Sequence, residues 1–228
     1  MQVTKQKAAA ILISALMAPA LSIGLAGCQA VALAGVMADT FERTGSHNVP
    51  AEYTGLRGKT YAVVVAADRV IQGNDARAVS RLTNAITRKL VESKDIHGAV
   101  GFVPGPRVLE LQYNKPRWSS WSFGRLADEF GVDVLIFVDL QEYRLGEPGN
   151  AYLWEGAVAG KVGVVEADGL NPDEFASTKD IRVSFPDKSG VSTSEMNKAT
   201  VVANLEERFS DRVAWLFFDH EEKNMKKY

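Results

Sequence analysis

The segment Ser122–Val138, with the sequence SFGRLADEFGVDVLIFV, decides the fold class of this chain. Ser122 is a favoured N-cap residue, and apolar side chains then recur every three or four positions, as on the buried face of a helix. Gly131 suits the left-handed position at the end of such a helix. The apolar run that follows, residues 132–138, is typical of a strand covered on both faces. A helix leading directly into a doubly covered strand predicts an α/β layer structure.

The same pattern extends over the rest of the chain. A second continuous apolar run, Tyr61–Ala66, predicts another buried strand, and Val79, Leu82, Ile86 and Leu90 predict an amphipathic helix ending near Ser93. Further along, a short strand, a turn at Pro104-Gly105-Pro106 and a second extended segment through Val108–Leu111 are expected.

The carboxyl-terminal half adds two alternating strands, 152–165 and 181–185, and a long helix introduced by a capping box between Ser192 and Glu195. The predicted fold class is therefore α/β. We expect a mixed twisted sheet with amphipathic helices packed on it, in the order β-α-β-(β)-α-β-β-β-α.

Composition excludes several function classes. The chain has 228 residues with 26 Lys and Arg against 28 Asp and Glu, which is not the basic balance expected of a nucleic-acid-binding protein. One cysteine and three histidines exclude a disulfide framework and a cysteine-rich zinc site. The length suits one domain of ordinary size.

The amino terminus has the pattern of a secretory signal. Lys5 and Lys7 precede a run from Ala8 to Ala38 without a charged residue, and within it lies the tetrad Leu25-Ala26-Gly27-Cys28. The tetrad resembles a bacterial lipobox. The resemblance implies cleavage before Cys28, a diacylglyceryl thioether on its sulfur, and acylation of the new amino terminus, for instance with palmitate.

Two other interpretations of this run are an uncleaved transmembrane anchor and an ordinary signal peptide with an incidental cysteine. The position of the chain's sole cysteine favours lipidation. The expected organisation is a signal peptide (1–27), a lipid-anchored tether (28–58), the α/β domain (59–218) and a charged tail (219–228). The resemblance to bacterial lipoproteins also implies, from Gln29 after the cysteine in place of an aspartate, an anchor in the outer membrane with the domain facing the periplasm.

Signatures of catalysis are weak. Gly58-Lys59-Thr60 resembles the end of a phosphate-binding loop, but it precedes a strand and lacks the earlier glycine, because position 53 is a tyrosine. Asp68 and Asp139 each follow a buried run, and one interpretation is a pair of carboxylates for acid–base chemistry at the same edge of the sheet. Turn-forming carboxylates are the more frequent explanation. We expect no enzyme activity, no metal and no cofactor.

The loop Lys115–Trp121, with the sequence KPRWSSW, is the best candidate for contact with a partner. Lys115, Arg117, Trp118 and Trp121 supply the aromatic and cationic side chains that dominate protein interfaces. Alternatively, Trp121 packs under the following helix as a hydrophobic staple and Trp118 covers the sheet edge. We expect at least one of the two to be buried, and Trp154 and Trp215 to belong to the core.

Three segments carry a family resemblance: the strand Tyr61–Val65, the helix Leu82–Thr87 and the helix–strand unit Leu126–Val138. With the lipobox, they resemble the domain shared by the curli-secretion lipoprotein, the penicillin-binding-protein activator lipoproteins and the amino-terminal domain of the Tol-system propeller protein. The resemblance covers residues 59–218. It implies a role in binding or assembly, and no catalytic residue carries over.

The sequence thus favours a non-catalytic, periplasm-facing envelope lipoprotein that binds a protein partner of unknown identity or organises an envelope assembly. The first alternative is a homo-oligomeric outer-membrane export component like the curli channel, with residues 152–185 as a membrane hairpin. The second is a hydrolase that uses Asp68 and Asp139.

Overall fold

The computed structural model describes residues 45–93, 98–147 and 149–223. The predicted signal peptide, the lipobox ending at Cys28 and the tether up to residue 44 lie outside the described residues, as do residues 224–228 of the predicted tail.

Strands and helices alternate along the described chain. The strands are β1 (Ser46–Val49), β2 (Thr60–Ala67), β3 (Gly101–Phe102), β4 (Val134–Arg144), β5 (Gly156–Glu166), β6 (Ser177–Phe185) and β7 (His220–Lys223). The helices are α1 (Arg69–Asn74), α2 (Ala78–Glu92), α3 (Gly105–Asn114), α4 (Phe123–Phe130) and α5 (Lys198–Ala214). Two 3₁₀ turns lie at Trp118–Ser120 and Trp215–Phe217.

Residues 50–220 form one compact unit built on a five-stranded sheet in the order β3-β2-β4-β5-β6. Strands β3, β2 and β4 run parallel, whereas β5 and β6 continue the sheet antiparallel. The predicted α/β class with a mixed sheet and packed helices is confirmed. In a separate unit, β1 pairs with β7, and Ser46 Oγ donates a hydrogen bond of 3.2 Å to Glu221.

The two faces of the five-stranded sheet carry separate apolar clusters. On what we call the first face, α2 and α5 pack on β2, β4, β5 and β6. On the second face, α3 and α4 pack on β2 and β4. Alternate residues of β2 belong to opposite clusters, with Val63 and Val65 on the first face and Ala62 and Val64 on the second. The continuous apolar run of this strand follows from that double coverage.

One predicted element is wrong. The segment Val108–Leu111 is not a strand but the middle of α3, which extends from Gly105 to Asn114. Pro106 lies in the first turn of this helix, where no backbone N–H donor is required, so the Pro-Gly-Pro sequence starts a helix instead of turning between strands.

The capping predictions have mixed outcomes. Ser122 caps α4, and Gly131 ends it with a φ of 66°. The expected reciprocal contacts between Ser192 and Glu195 are present, with both hydrogen bonds at 3.3 Å. However, they form a turn ahead of α5, whose N-cap is Asn197, accepting from the Thr200 N–H at 2.9 Å.

Candidate functional site

The predicted contact loop connects α3 to α4 and is held by its own backbone. The N–H groups of Trp118, Ser120 and Trp121 donate to carbonyls three residues earlier, at 2.8 to 3.0 Å. Lys115 and Arg117 are exposed. The loop therefore presents its two cations from an ordered turn.

Both tryptophans of the loop are half-buried and pack on the apolar cluster of the second face. Trp121 directly precedes the N-cap of α4 and shares this cluster with Leu126, as a hydrophobic staple does. Arg125 lies over the Trp121 ring, 4.2 Å from its centroid. Each indole therefore supports the fold while part of it stays accessible, and a role in binding remains a prediction.

The other two tryptophans differ from each other. Trp154 packs against the first-face cluster and donates from Nε1 to the Met196 carbonyl at 2.7 Å. Trp215 is half-buried in the 3₁₀ turn after α5, with its ring stacked on His220 at 4.5 Å. The expectation that Trp215 is a core residue is therefore wrong, because that turn rotates it off the buried stripe of the helix.

The two aspartates considered for acid–base chemistry have separate positions. Asp68 follows β2 and caps α1, accepting from the Ile71 N–H at 2.8 Å. Asp139 does not end its strand as predicted: β4 continues to Arg144, and Asp139 pairs with Ala66 on one side and Lys161 on the other. The charge of Asp139 is tolerated within a strand because its side chain is exposed on the part of the second face that α3 and α4 do not cover. In the described part of the chain, no three His, Cys, Asp or Glu side chains gather as a metal site would require.

At the start of β2, Gly58-Lys59-Thr60 leads into a strand and not into a helix as the end of a P-loop does. Gly58 turns the chain with a φ of 70°, and Thr60 then begins the strand. Asp133 accepts from both the N–H and the hydroxyl of Thr60 at 2.8 Å, while Lys59 pairs with Asp168 at 2.8 Å. The two bonds to Asp133 hold the amino ends of β2 and β4 side by side, and the Lys59 pair ties β2 to the chain after β5.

A polar network that the sequence analysis missed lies on the first face. The Arg81 guanidinium of α2 donates to both oxygens of Glu206 on α5 at 2.7 to 2.9 Å and to Asp75 at 2.8 and 3.2 Å. The Tyr143 hydroxyl of β4 donates to Glu206 at 2.7 Å. Glu206 is only 7% exposed. The network therefore ties two helices to the sheet.

Charge pairing sets the protonation of this network. Hydrogen bonds to Arg81 hold the pKa of the Asp75 carboxyl below its usual range. Burial, and then the hydrogen bond to Glu206, raises the pKa of the Tyr143 hydroxyl. Each of the side chains Asp75, Arg81, Tyr143 and Glu206 is hydrogen-bonded to another of the four. We therefore interpret the network as a structural link between α2, α5 and the sheet.

The second face also carries a surface that the sequence analysis did not anticipate. Beyond α3 and α4, side chains of β4, β5 and β6 form an exposed and largely charged area, which we call the open face: Asp139, Glu142, Arg144, Ala159, Lys161, Asp180, Arg182 and Ser184. Its charged side chains are partly to largely exposed, from 28% for Glu142 to 78% for Asp180.

Opposite charges alternate across the open face. Glu142 receives hydrogen bonds from Arg144, at 2.7 Å, and from Arg182 on β6. Lys161 lies 3.7 Å from Asp180 on the neighbouring strand. Burial acts to raise the pKa of the Glu142 carboxyl, but the two arginines outweigh it and hold that pKa below its usual range. The sequence of β6 contains opposite charges at Asp180 and Arg182, but it does not indicate that this side of the sheet lacks a covering helix.

Every helix within residues 45–93, 98–147 and 149–223 is too short or too polar to cross a membrane. This finding does not extend to the uncharged amino-terminal run, which lies outside these residues.

No family model matches the sequence, and no curated protein matches it. Three solved structures are similar to it in fold. Lipoprotein GNA1162 from Neisseria meningitidis is 13% identical, with a TM-score of 0.43 over 68% of this chain and 97% of that one. The PelC dodecamer from Paraburkholderia phytofirmans is 10% identical, with a TM-score of 0.42 over 76% and 96%. Protein XCC0632 from Xanthomonas campestris is 11% identical, with a TM-score of 0.34 over 75% and 85%.

At these identities the similarity concerns only the arrangement of helices and strands. The solved structures with a similar arrangement include a bacterial lipoprotein. The narrower resemblance to the curli-secretion, activator and Tol-propeller proteins stays a prediction.

Proposed function

We propose that this chain is a lipid-anchored protein of the bacterial envelope that acts by binding another protein and not by catalysis. The observation that carries the proposal is the tetrad Leu25-Ala26-Gly27-Cys28, which closes an uncharged run and contains the chain's sole cysteine. Two or three acyl chains on one residue are enough for stable anchoring. The anchor holds the α/β domain on the periplasmic side of the outer membrane.

The Lys115–Trp121 loop makes the contact with the partner. Its two exposed cations stand beside two indoles that are fixed on one side by the core and accessible on the other. Rigid aromatic side chains lose little entropy on binding, and cations next to them favour a partner with acidic residues around an apolar patch.

Lipid attachment is tested by growing cells with labelled palmitate and comparing the wild type with Cys28→Ala. The wild-type protein is expected to carry label and to sediment with outer membranes, whereas Cys28→Ala carries none. Label on the Cys28→Ala protein, or an unlabelled wild type, would contradict the anchor.

The loop is tested by crosslinking in cells and pull-down with Lys115→Glu/Arg117→Glu. Both side chains are exposed, so this variant should fold as the wild type does. The matched control is Arg69→Glu/Lys188→Glu, which makes the same charge change at two exposed positions outside the loop. A partner recovered with the wild type and the control but not with the loop variant supports the proposal. Equal recovery with both variants refutes it.

A further inference from the structure

Strand β6 is the outermost strand of the sheet. It spans nine residues and, among the residues that the structure describes, pairs only with β5, whereas β3 at the opposite edge has two residues. A long edge strand presents backbone donors and acceptors to which another strand can add.

The carboxyl end of this edge is covered. The Arg208 guanidinium donates to the Ser184 carbonyl at 2.9 Å, pairs with Asp187 at 2.6 and 2.8 Å, and lies over the Phe185 ring. This contact leaves the middle of the strand, around Ile181, as the place for a docking strand.

Charges in the middle of β6 are self-complementary. Asp180 and Arg182 flank Ile181, both point to the open face, and their side chains are 78% and 58% exposed. In an antiparallel pair of strands related by a two-fold axis at Ile181, Asp180 of each copy lies directly opposite Arg182 of the other. Thr178 then lies opposite Ser184. Opposite charges directly across two strands stabilise their pairing.

Neighbouring registers place like charges together. The two-fold axis runs perpendicular to the sheet, so the same face of each copy lies on the same side. The axis must therefore pass through a residue of β6, and the neighbouring registers place it one residue before or after Ile181. A centre at Asp180 puts two aspartates opposite each other, and a centre at Arg182 does the same with two arginines. The charges therefore select the register centred on Ile181.

We propose that a second copy of this chain docks on β6 in this antiparallel register, joining two five-stranded sheets into one. The two open faces then lie on the same side, and the row Asp139, Lys161, Asp180 continues into Arg182 of the second copy. This pairing uses neither the Lys115–Trp121 loop nor Cys28, so it goes beyond the proposed function.

The test is sedimentation of the full chain in detergent micelles, comparing the wild type with Asp180→Arg and Arg182→Asp. We expect the wild type to dimerise, more weakly as salt rises. Each single variant places like charges at both contacts, and its dimer dissociation constant should rise at least about tenfold. An equimolar mixture of the two variants restores both opposite-charge pairs, so it should dimerise again as a heterodimer.

Glu129→Arg is the matched control, because it makes a charge reversal at an exposed position of α4 and should leave dimerisation unchanged. Circular dichroism checks that each variant is folded. A monomeric wild type, single variants that dimerise like the wild type, or a mixture that stays monomeric would each overturn the proposal. The mixture also separates this strand pairing from a structural effect of either substitution, since misfolded variants would not rescue one another.

Discussion

The two faces of the central sheet differ in what covers them. The first face is closed by α2 and α5 along most of its width and contains the Arg81–Glu206 tie. The second face is covered by α3 and α4 over β2 and β4 and by Phe175 over Gly163 of β5, and beyond them lies the exposed, charged open face. The comparison separates a face that holds the domain together from one that is free to contact other molecules.

The largest expected effect concerns two phenylalanines that pack on opposite sides of β5. Phe209 is fully buried beside Gly160 on the first face, whereas Phe175 is 37% exposed over Gly163 on the second. We expect Phe209→Ala to lower the free energy of unfolding by about 4 kcal/mol because it leaves a cavity, and Phe175→Ala by about 1 kcal/mol. Urea denaturation measures both. Equal losses would remove the energetic distinction between the faces.

A second pair compares arginines. Arg81→Met leaves Glu206 buried without its cation, and we expect a loss of about 3 kcal/mol in the free energy of unfolding. Arg182→Met removes an exposed ion pair of the open face and should cost less than about 1 kcal/mol. The same denaturation experiment compares them. If Arg182→Met proved the more destabilising, the open face would be part of the structural core.

Two glycines of β5 sharpen the comparison further. An added Cβ at Gly160 would lie 2.8 Å from the Asp139 carbonyl oxygen and 3.3 Å from the Phe209 ring, so backbone would have to move. At Gly163 the three nearest atoms would all belong to the ring of Phe175, which is 37% exposed, so a side chain and not the backbone would have to move first. We expect Gly160→Ala to cost about 2 kcal/mol and Gly163→Ala less than about 1 kcal/mol. A larger loss for Gly163→Ala would mean that Phe175 is fixed in place.

The elements predicted best from the sequence are those whose residue pattern is compatible with only one kind of secondary structure. The run Tyr61–Ala66 is apolar throughout because both faces of β2 are covered, and Gly131 ends α4 where a left-handed residue is required. By contrast, Val108 and Leu111 fit either a helix or a short strand, and the preceding prolines fit both a turn and a first helical turn. A charge after an apolar run predicts a strand end at Asp139, but β4 continues beyond it along the open face.

The candidate surfaces were predicted in part. The sequence predicted Lys115–Trp121 as a loop ahead of a helix, but the element before it is α3 and not the expected strand. The degree of burial of each indole depends on the packing of α3 and α4 on the sheet. The Arg81 network could not be predicted from the sequence, because Tyr143 and Glu206 lie 62 and 125 residues away from Arg81 along the chain. Such pairs follow from tertiary packing and have no local signal.

The smallest expected effect is a pH dependence confined to the first face. The folded-state pKa of Asp75 is held below its ordinary value of 3.8, chiefly by hydrogen bonds from Arg81. A lowered pKa contributes stability above the unfolded-state pKa, and that contribution is lost as the pH falls through the folded-state pKa. We therefore expect Asp75→Asn to lower the free energy of unfolding by about 1 kcal/mol at pH 7 and to reduce the further loss on acidification below about pH 4.

Thermal unfolding between pH 7 and pH 3 measures this dependence, with Asp128→Asn at an exposed position of α4 as the matched control. The control should follow the wild-type profile, because its carboxyl is exposed on a different helix. An Asp75→Asn protein with the same acid profile as the wild type would show that Arg81 is held by Glu206 and Tyr143 without Asp75. In that case the tie on the first face would run between α2 and α5, and the carboxyl end of α1 would contribute nothing to it.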